Sequence, residues 1–365
     1  MLKITIVAGA RPNFMKIAPI IEAIKNSKAK GKKIDFRLVH TGQHYDKNLS
    51  DTFFEELNIP RPDINLDVKS GSQAEQTAQI MTKFEVEIQN HVPDLVLVVG
   101  DVTSTMACAI VAKKQHIDVA HVEAGIRSGD LKMPEEINRM VTDSITDYFF
   151  TTTELANKNL LNSGKSQDQI FLVGNVMIDT LFKNLRKLKK PSFWDDFKLE
   201  EKSYFVMTLH RPSNVDEEKQ LEGLISNIVE KSKGKPIIFP VHPRTKKLLQ
   251  NLNINFDNLH FVEPQGYLNF IYLIKNAFAV LTDSGGITEE TTMLNVPCLT
   301  FRDSTERPET CEIGTNELVG SDKNKINQAF DTLNSGSWKK GQAPYLWDGK
   351  AAERIIDELL KIYNV

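Results

Sequence analysis

Short apolar runs alternate along the chain with longer stretches in which apolar residues recur at helical spacing. In the first half the strand-like runs are KITIVAG (3–9), DFRLVHTG (35–42), DLVLVVGD (94–101), DVAHVEAG (118–125), DYFFTTT (147–153) and QIFLVG (169–174). Between them, residues 13–28, 72–90 and 103–114 have the period of amphipathic helices. This βαβα order predicts a parallel sheet with helices on both faces.

The alternation is interrupted once and then restarts. Residues 183–203 are rich in charge and contain a proline. Further strand-like runs follow at 204–210, 236–242, 259–264, 277–283 and 296–301. Two α/β units in tandem predict two Rossmann-like domains with a central cleft, which we place at 1–175 and 176–349. The segment 350–365 has the spacing of a helix.

Composition narrows the functional classes. The chain has 365 residues, of which 41% are hydrophobic, and this suffices for two domain cores. The formal net charge of -3 argues against a general nucleic-acid binder. Cys108, Cys298 and Cys311 form no C-x-x-C pair, which fits a reducing compartment and gives no cysteine-based metal signature. We see no bilayer-spanning run and no secretory signal, so we expect a cytoplasmic protein without a membrane partner.

The stretch LTDSGGITEE (281–290) places Ser284, Gly285 and Gly286 between a strand-like run and a helix. Glycines let a ligand approach the backbone, and the N–H groups of a first helical turn favour an anion. The stretch therefore favours a phosphate site, although a tight turn with nothing bound explains it about equally well.

Two carboxylates follow that turn and would repel a diphosphate. Glu289 and Glu290 would then serve the helix dipole, or one would accept hydrogen bonds from the hydroxyls of a ribose. The second interpretation makes the ligand a nucleotide. Arg302 or Arg307 would supply the compensating charge, unless each pairs with a glutamate of its own segment (302–309).

Carboxylates also gather in the first half. Asp101 and Glu123 each follow a strand-like run, and Glu135 lies in MPEEINR. Carboxylates that meet at one sheet edge shift each other's pKa values and can act as general acids or bases. In the structural alternative, Asp101 caps the helix that begins near residue 103, and Arg139 pairs with Glu135 one helical turn before it.

Positive and imidazole side chains complete the candidate chemistry. Arg11 and Lys16 lie near the start of the first predicted helix. His121, His210 and His242 each stand at a strand end, where a histidine is more often packed or solvated than catalytic. We favour His210, because its strand end belongs to the half with the predicted phosphate site, and we expect His121 to share the side of Glu123.

Taken in order, the motifs resemble those of the non-hydrolysing UDP-N-acetylglucosamine 2-epimerases. They are RPNFMKIAP, HTGQHYD, GDVTST, HVEAGIRSGD, PEEINR, LHRPSNVD, PVHPRT, LTDSGGITEE and TERPE. The resemblance implies a glycosyltransferase-B-like fold, with the helix 350–365 packed back on the first domain. It also implies a homodimer, and neither a metal nor another cofactor.

The resemblance further implies a reaction. UDP-N-acetylglucosamine is converted reversibly to UDP-N-acetylmannosamine through anti elimination of UDP, which leaves 2-acetamidoglucal, and re-addition of UDP with a proton on the opposite face of C2. Such an isomerase needs carboxylates that move the proton and a clamp that holds free UDP.

The family's functional positions map onto this chain by motif. The catalytic positions are Asp101, Glu123, Glu135 and His210, with the acid and base roles of the carboxylates left open. The substrate-binding positions are Arg11, Lys16, Arg139, Gln265, Phe270, Ser284, Gly285, Gly286, Glu290 and Arg307. A regulatory site, at which some bacterial members bind a second substrate molecule, matches Gln43, His44 and His242. The chain departs from many relatives at Ser213, where they have glutamate.

Three other functions compete with this one. The same epimerisation on UDP-2,3-diacetamido-2,3-dideoxyglucuronate would need an extra cation near C6, for which Arg127 is available. A glycosyltransferase of the same fold has less use for three carboxylates near a sugar C2. A non-catalytic UDP-sugar sensor would keep the half around 281–290 and could dispense with those carboxylates.

Overall fold

The computed structural model describes residues 1–42, 54, 56–211, 214, 217–241, 249, 254 and 256–365. The chain divides into two compact units, which we call unit 1 (Met1–Lys183 with Tyr345–Val365) and unit 2 (Asn184–Pro344). Within the described ranges, no helix is both long enough and apolar enough to cross a bilayer.

Unit 1 is built on a seven-stranded parallel sheet with the strand order β3-β2-β1-β4-β5-β6-β7. Its strands are β1 (Leu2–Ala8), β2 (Ile34–His40), β3 (Ile64–Asn65), β4 (Leu95–Val99), β5 (Asp118–Val122), β6 (Tyr148–Thr151) and β7 (Ile170–Leu172). Its helices are α1 (Arg11–Ala29), α2 (Gln73–Asn90), α3 (Thr103–Lys114), α4 (Pro134–Ile145), α5 (Glu154–Asn162) and α6 (Val176–Asn184).

Unit 2 repeats the plan with a six-stranded parallel sheet in the order β10-β9-β8-β11-β12-β13. Its strands are β8 (Phe205–Thr208), β9 (Ile237–Pro240), β10 (Leu259–Val262), β11 (Ala279–Thr282), β12 (Cys298–Thr300) and β13 (Asn316–Leu318). Its described helices are α7 (Glu218–Lys231), α8 (Tyr267–Asn276), α9 (Gly285–Met293), α10 (Pro308–Glu312) and α11 (Lys323–Asn334). The prediction of two tandem Rossmann-like α/β units is therefore confirmed.

The central strands explain why the sequence forms these sheets. Every residue of β4 (LVLVV) and of β11 (AVLT) is buried, because helices cover both faces of each sheet. Burying one such valine or leucine side chain contributes about 1.5–3 kcal/mol. The parallel direction brings all strand carboxyl ends to one edge of each sheet, where the polar residues of the sequence accumulate.

The chain returns to unit 1 through helix α12 (Ala351–Ile362), which packs against α1. Asp179 of α6 holds the start of α12, since its carboxylate accepts hydrogen bonds from the N–H groups of Ala351 (3.1 Å) and Ala352 (2.7 Å). Helix α6 is itself fixed to α1, because the Thr180 hydroxyl donates to the Met15 carbonyl at 2.6 Å. Unit 1 consequently extends through α6, past residue 175, where we place the boundary from sequence.

We expect Asp179→Asn to remove a pH dependence of stability. Burial raises the pKa of Asp179 to about 6, against the lowering effect of the two N–H groups. The folded pKa exceeds the ordinary value of 3.8, so the stability contributed by the neutral acid is complete below pH 4 and is lost as pH rises through 6. Between these values the free energy of unfolding of the wild type should fall, relative to the variant, by about 1.4 kcal/mol per pH unit.

Urea unfolding of both proteins from pH 4 to pH 8 measures this difference. Asp357→Asn, which changes an exposed carboxylate on α12, serves as the control and should follow the wild type. Parallel pH profiles for wild type and Asp179→Asn would contradict the assignment.

Candidate functional site

The sheet register of unit 1 brings two candidate carboxylates side by side. Val99, the last residue of β4, is paired with Val122, the last residue of β5. Asp101 and Glu123 therefore leave the sheet at adjacent strand ends. Glu123 has a left-handed backbone conformation with φ at 70°. A bulky residue in that conformation is strained, and such strain is concentrated at functional sites.

Glu123 is buried, and an ammonium group neutralises it. Its side chain is 5% exposed, and its Oε2 lies 2.6 Å from Nζ of Lys16 on α1. The pair fits because residue 100 is glycine: an added Cβ would lie 2.8 Å from the same Nζ. Lys16, which the resemblance assigns to substrate phosphate, thus also holds a carboxylate of its own unit.

Asp101 is held by Arg139 of α4, whose guanidinium binds Asp101 Oδ2 and donates to Glu136 Oε2 at 2.9 Å. Sequence reasoning missed Glu136 and considered Glu135, the neighbouring residue, which is half-buried on the same turn. Burial alone would raise the pKa of Glu136, but the N–H groups of the preceding loop and Arg139 lower it below its ordinary value. The capping alternative for Asp101 is wrong, since α3 begins after Val102 without a side-chain cap.

His121, the last residue but one of β5, is fully buried. Its Nδ1 is 2.7 Å from Asp143 Oδ1, and its Nε2 is 2.8 Å from the carbonyl oxygen of Gly100. Asp143 also accepts from the N–H of Gly125 (3.1 Å) and pairs with Arg127 (2.7 Å). Burial would raise the pKa of Asp143, but His121 and Arg127 lower it. His121 therefore braces the backbone beside the carboxylates, through the carbonyl of Gly100.

In unit 2 the glycine pair opens helix α9. β11 ends at Thr282, whose hydroxyl accepts the N–H of Ser284 at 3.0 Å, and α9 begins at Gly285. The first N–H groups of a helix have no partner within it, and they bind anions readily. Arg302 adds positive charge, since its Nη1 would lie 3.4 Å from a Cβ at Gly285. That guanidinium pairs with Glu306 at 2.7 Å, which is the pairing that the sequence left open for Arg302. Both side chains are buried, so the pair does not lie on the surface.

The two carboxylates of α9 have different environments. Glu289 is paired with Arg307, and both side chains are buried. Glu290 is buried too. Its burial and the charge of Glu289 raise its pKa to about 8, although a hydrogen bond with Tyr267 lowers it. Glu290 is consequently protonated at neutral pH in the free protein, a state that its sequence motif does not reveal.

His210 follows β8 and is well exposed, with 61% of its side chain accessible. Its Nδ1 is 2.8 Å from Oδ1 of Asp283, which is fully buried. Sequence reasoning gave Asp283 no role. Its position directly before the Ser-Gly-Gly turn is the signal that could have identified it.

The remaining candidates are placed only in part. Gln265 donates to the Glu263 carbonyl at 2.7 Å, and Phe270 is half-buried on α8. Arg11 is the first residue of α1. Gln43, His44, His242 and Ser213 lie outside the described residues. Among the described residues, no group of three or more His, Cys, Asp or Glu side chains is arranged to hold a metal ion.

The sequence and fold are similar to those of known epimerases. The family model for UDP-N-acetylglucosamine 2-epimerase matches residues 26–360. The UDP-N-acetylglucosamine 2-epimerase of Methanocaldococcus jannaschii is 44% identical over 369 residues, covering 97% of this chain and 98% of the relative. Its crystal structure with UDP-GlcNAc and UDP matches with a TM-score of 0.88 at 43% identity, covering 99% of this chain and 100% of the other.

Two further matches bear on substrate and fold. The UDP-2,3-diacetamido-2,3-dideoxy-D-glucuronate 2-epimerase of Pseudomonas aeruginosa is 36% identical over 365 residues, covering 99% of this chain and all of the relative (100%). A lipopolysaccharide outer core galactosyltransferase, at 13% identity and a TM-score of 0.53 over 98% of this chain and 100% of the other, shares the fold alone. This likeness confirms the glycosyltransferase-B-like fold class.

We expect Lys16→Met to destabilise unit 1, because it leaves the buried Glu123 without its cation. Breaking a buried ion pair from one side costs about 3 kcal/mol or more. In the double variant Lys16→Met/Glu123→Gln both groups are uncharged, so much of that loss should be recovered. Urea unfolding of the wild type, both single variants and the double variant gives the coupling free energy.

Lys28→Met is the matched control, because Lys28 forms an exposed pair with Asp35 at 3.0 Å. Its cost should stay below about 1 kcal/mol. Strictly additive effects of the changes at Lys16 and Glu123 would contradict the interpretation of this pair.

Proposed function

Because the chain belongs to the UDP-N-acetylglucosamine 2-epimerase family and is an isomerase, we propose that it interconverts UDP-N-acetylglucosamine and UDP-N-acetylmannosamine by elimination and re-addition of UDP. The observation that carries the mechanism is the pair of carboxylates at the adjacent ends of β4 and β5, Asp101 and Glu123, each bound to a cation of its own unit. A cation beside a carboxylate favours its ionised form, and a base that must take a proton needs that form.

The proposed reaction needs neither an oxidant nor a reductant. One carboxylate of the set Asp101, Glu123 and Glu135 removes the proton from C2 while the C1–O bond to UDP breaks, which leaves 2-acetamidoglucal. A second group of this set, which carries a proton at the start of the step, then delivers that proton to the opposite face of C2 as UDP re-forms the C1–O bond. Exchange of both carboxyl groups with solvent restores their starting protonation. Since the C2 proton is only weakly acidic, the departing diphosphate must be stabilised in the same step.

Unit 2 supplies that stabilisation in this proposal. The N–H groups of the first turn of α9, with Ser284, bind phosphate oxygens, and Arg307 adds positive charge. His210 assists the leaving diphosphate through Nε2, and Glu290 binds the ribose hydroxyls. Gln265 and Phe270 lie against the uracil. Arg11, Lys16 and Arg139 contribute charge from unit 1.

The relatives favour the N-acetylglucosamine substrate over the diacetamido uronate, because the relative named for the first is 44% identical and the relative named for the second is 36% identical. A uronate brings a carboxylate at C6 that needs a cation. Arg127, the cation that the sequence offers for it, is bound to the fully buried Asp143 at 2.7 Å and donates to the Ile126 carbonyl at 2.8 Å. The uronate remains the second candidate, because a relative of 36% identity carries the name of that epimerase.

We expect the protein, incubated with UDP-N-acetylglucosamine in deuterium oxide, to incorporate deuterium at C2 and to accumulate the manno epimer. Proton NMR of the sugar resonances follows both changes. Exchange with the diacetamido uronate alone would assign the second substrate. Absence of exchange with either sugar nucleotide, together with binding of UDP, would support a sensor.

We expect Glu123→Gln to lower the rate of C2 exchange by at least about 100-fold, the smaller end of the effect of a positioned acid or base. UDP binding, measured by calorimetry, should stay within about threefold, because the change leaves the nucleotide-binding residues of unit 2 intact. Glu85→Gln, on the exposed side of α2, serves as the control and should exchange at the wild-type rate. Normal exchange in Glu123→Gln would remove this residue from proton transfer.

A further inference from the structure

Asp283 is a fully buried carboxylate with an unusual number of donors, all from its own unit. It accepts the backbone N–H groups of His210 (3.0 Å) and Arg211 (2.9 Å), and the side-chain amide of Asn214 (3.1 Å). The Nδ1 of His210 lies 2.8 Å from its Oδ1. These donors outweigh burial, which alone would raise the pKa of Asp283, and the pKa lies below its ordinary value. Asp283 is therefore an anion at neutral pH.

An anionic carboxylate can only accept hydrogen bonds, so the nitrogen of His210 that faces it must carry the hydrogen. The hydrogen on Nδ1 leaves Nε2 as the nitrogen that faces away from Asp283. Since Asp283 is fully buried and 61% of the His210 side chain is exposed, Nε2 is the nitrogen available to a ligand. The geometry sets both the tautomer and the direction of the ring.

Asp283 also links this histidine to the phosphate-binding turn. It directly precedes Ser284, and its carbonyl oxygen accepts a hydrogen bond from Nε of Arg211 at 3.1 Å. The ends of β8 and β11, which are neighbouring strands in parallel register, are thus joined through one residue. A shift of the Ser-Gly-Gly turn would therefore shift the His210 ring, and a shift of the ring would shift the turn.

We propose that Asp283 is a positioning residue, which holds His210 with Nδ1–H toward its own carboxylate, so that Nε2, once it carries a proton, donates to the diphosphate that departs and returns. The inference rests on the proposed function for its consequence in catalysis, but the tautomer is a property of the free protein. Asp283 itself touches no reacting atom in this proposal. Its removal should therefore affect turnover and leave substrate affinity nearly unchanged.

The first test uses the wild type without substrate. In protein labelled with ¹⁵N-histidine, long-range proton–nitrogen correlation distinguishes the two ring nitrogens, and loss of one signal set in His210→Gln assigns His210. We expect hydrogen on Nδ1 and an unprotonated Nε2 in the neutral ring. Hydrogen on Nε2 alone would overturn the proposal, whatever the protein catalyses.

The second test uses Asp283→Asn, whose amide can donate to Nδ1 where the carboxylate could only accept. We expect a reversed tautomer, a fall in kcat for C2 exchange on the order of 100-fold, and a KM within about threefold of the wild type. Unchanged kcat or an unchanged tautomer would overturn the proposal. A rise in KM together with a fall in kcat and an unchanged tautomer would indicate a merely structural role and would overturn it as well.

A matched control separates positioning from lost stability. Ile225→Ala creates a cavity in the core of unit 2, among residues that have no part in the site. It should reduce the unfolding temperature at least as much as Asp283→Asn and retain wild-type kcat. If neither the wild type nor any variant exchanges C2 hydrogen, the proposed function fails, and the two nitrogen spectra alone decide the tautomer.

Discussion

The site depends on one constraint: a carboxylate placed at the buried end of a parallel strand must be neutralised where it stands. Transfer of an unpaired ion into a protein interior costs several kcal/mol, more than most other contacts recover. In unit 1, Glu123 is bound to Lys16, and Asp101 to Arg139. In unit 2, Asp283 is bound to His210. Glu123 and Asp101 are thus inseparable from particular cations of unit 1, and Asp283 from its hydrogen-bond donors in unit 2.

The backbone is arranged to permit these pairs. Gly100 and Glu123 both have positive φ at the ends of neighbouring strands, and the N–H of Gly100 donates to the Val122 carbonyl at 3.0 Å. The glycine accommodates the Lys16 ammonium that the glutamate requires. His121 Nε2 lies 2.8 Å from the carbonyl oxygen of the same glycine, so a second buried charge network, that of His121 and Asp143, supports the first. Loosening either network would disturb the position of the acids rather than a remote part of the fold.

Much of this architecture could be predicted from the sequence, because hydrophobic alternation is a local property. The strands that end at Val99, Val122 and Thr282 follow from it, and the polar residues beyond them are visible directly. The partners of those residues are not local. Glu135 and Glu136 are adjacent on a helix and point about 100° apart, and only packing decides that Glu136 binds Arg139. The protonated state of Glu290 likewise depends on burial, which no motif encodes.

The return of the chain to unit 1 has a consequence for its synthesis. Unit 2 is one continuous segment, whereas unit 1 is completed by Tyr345–Val365, which the ribosome reaches only after all of unit 2. Domains fold as units during translation, so unit 2 can finish folding while the nascent unit 1 still exposes the surface of α1 that α12 will cover. Chaperone binding to the growing chain should accordingly concentrate on the first-made half rather than the second.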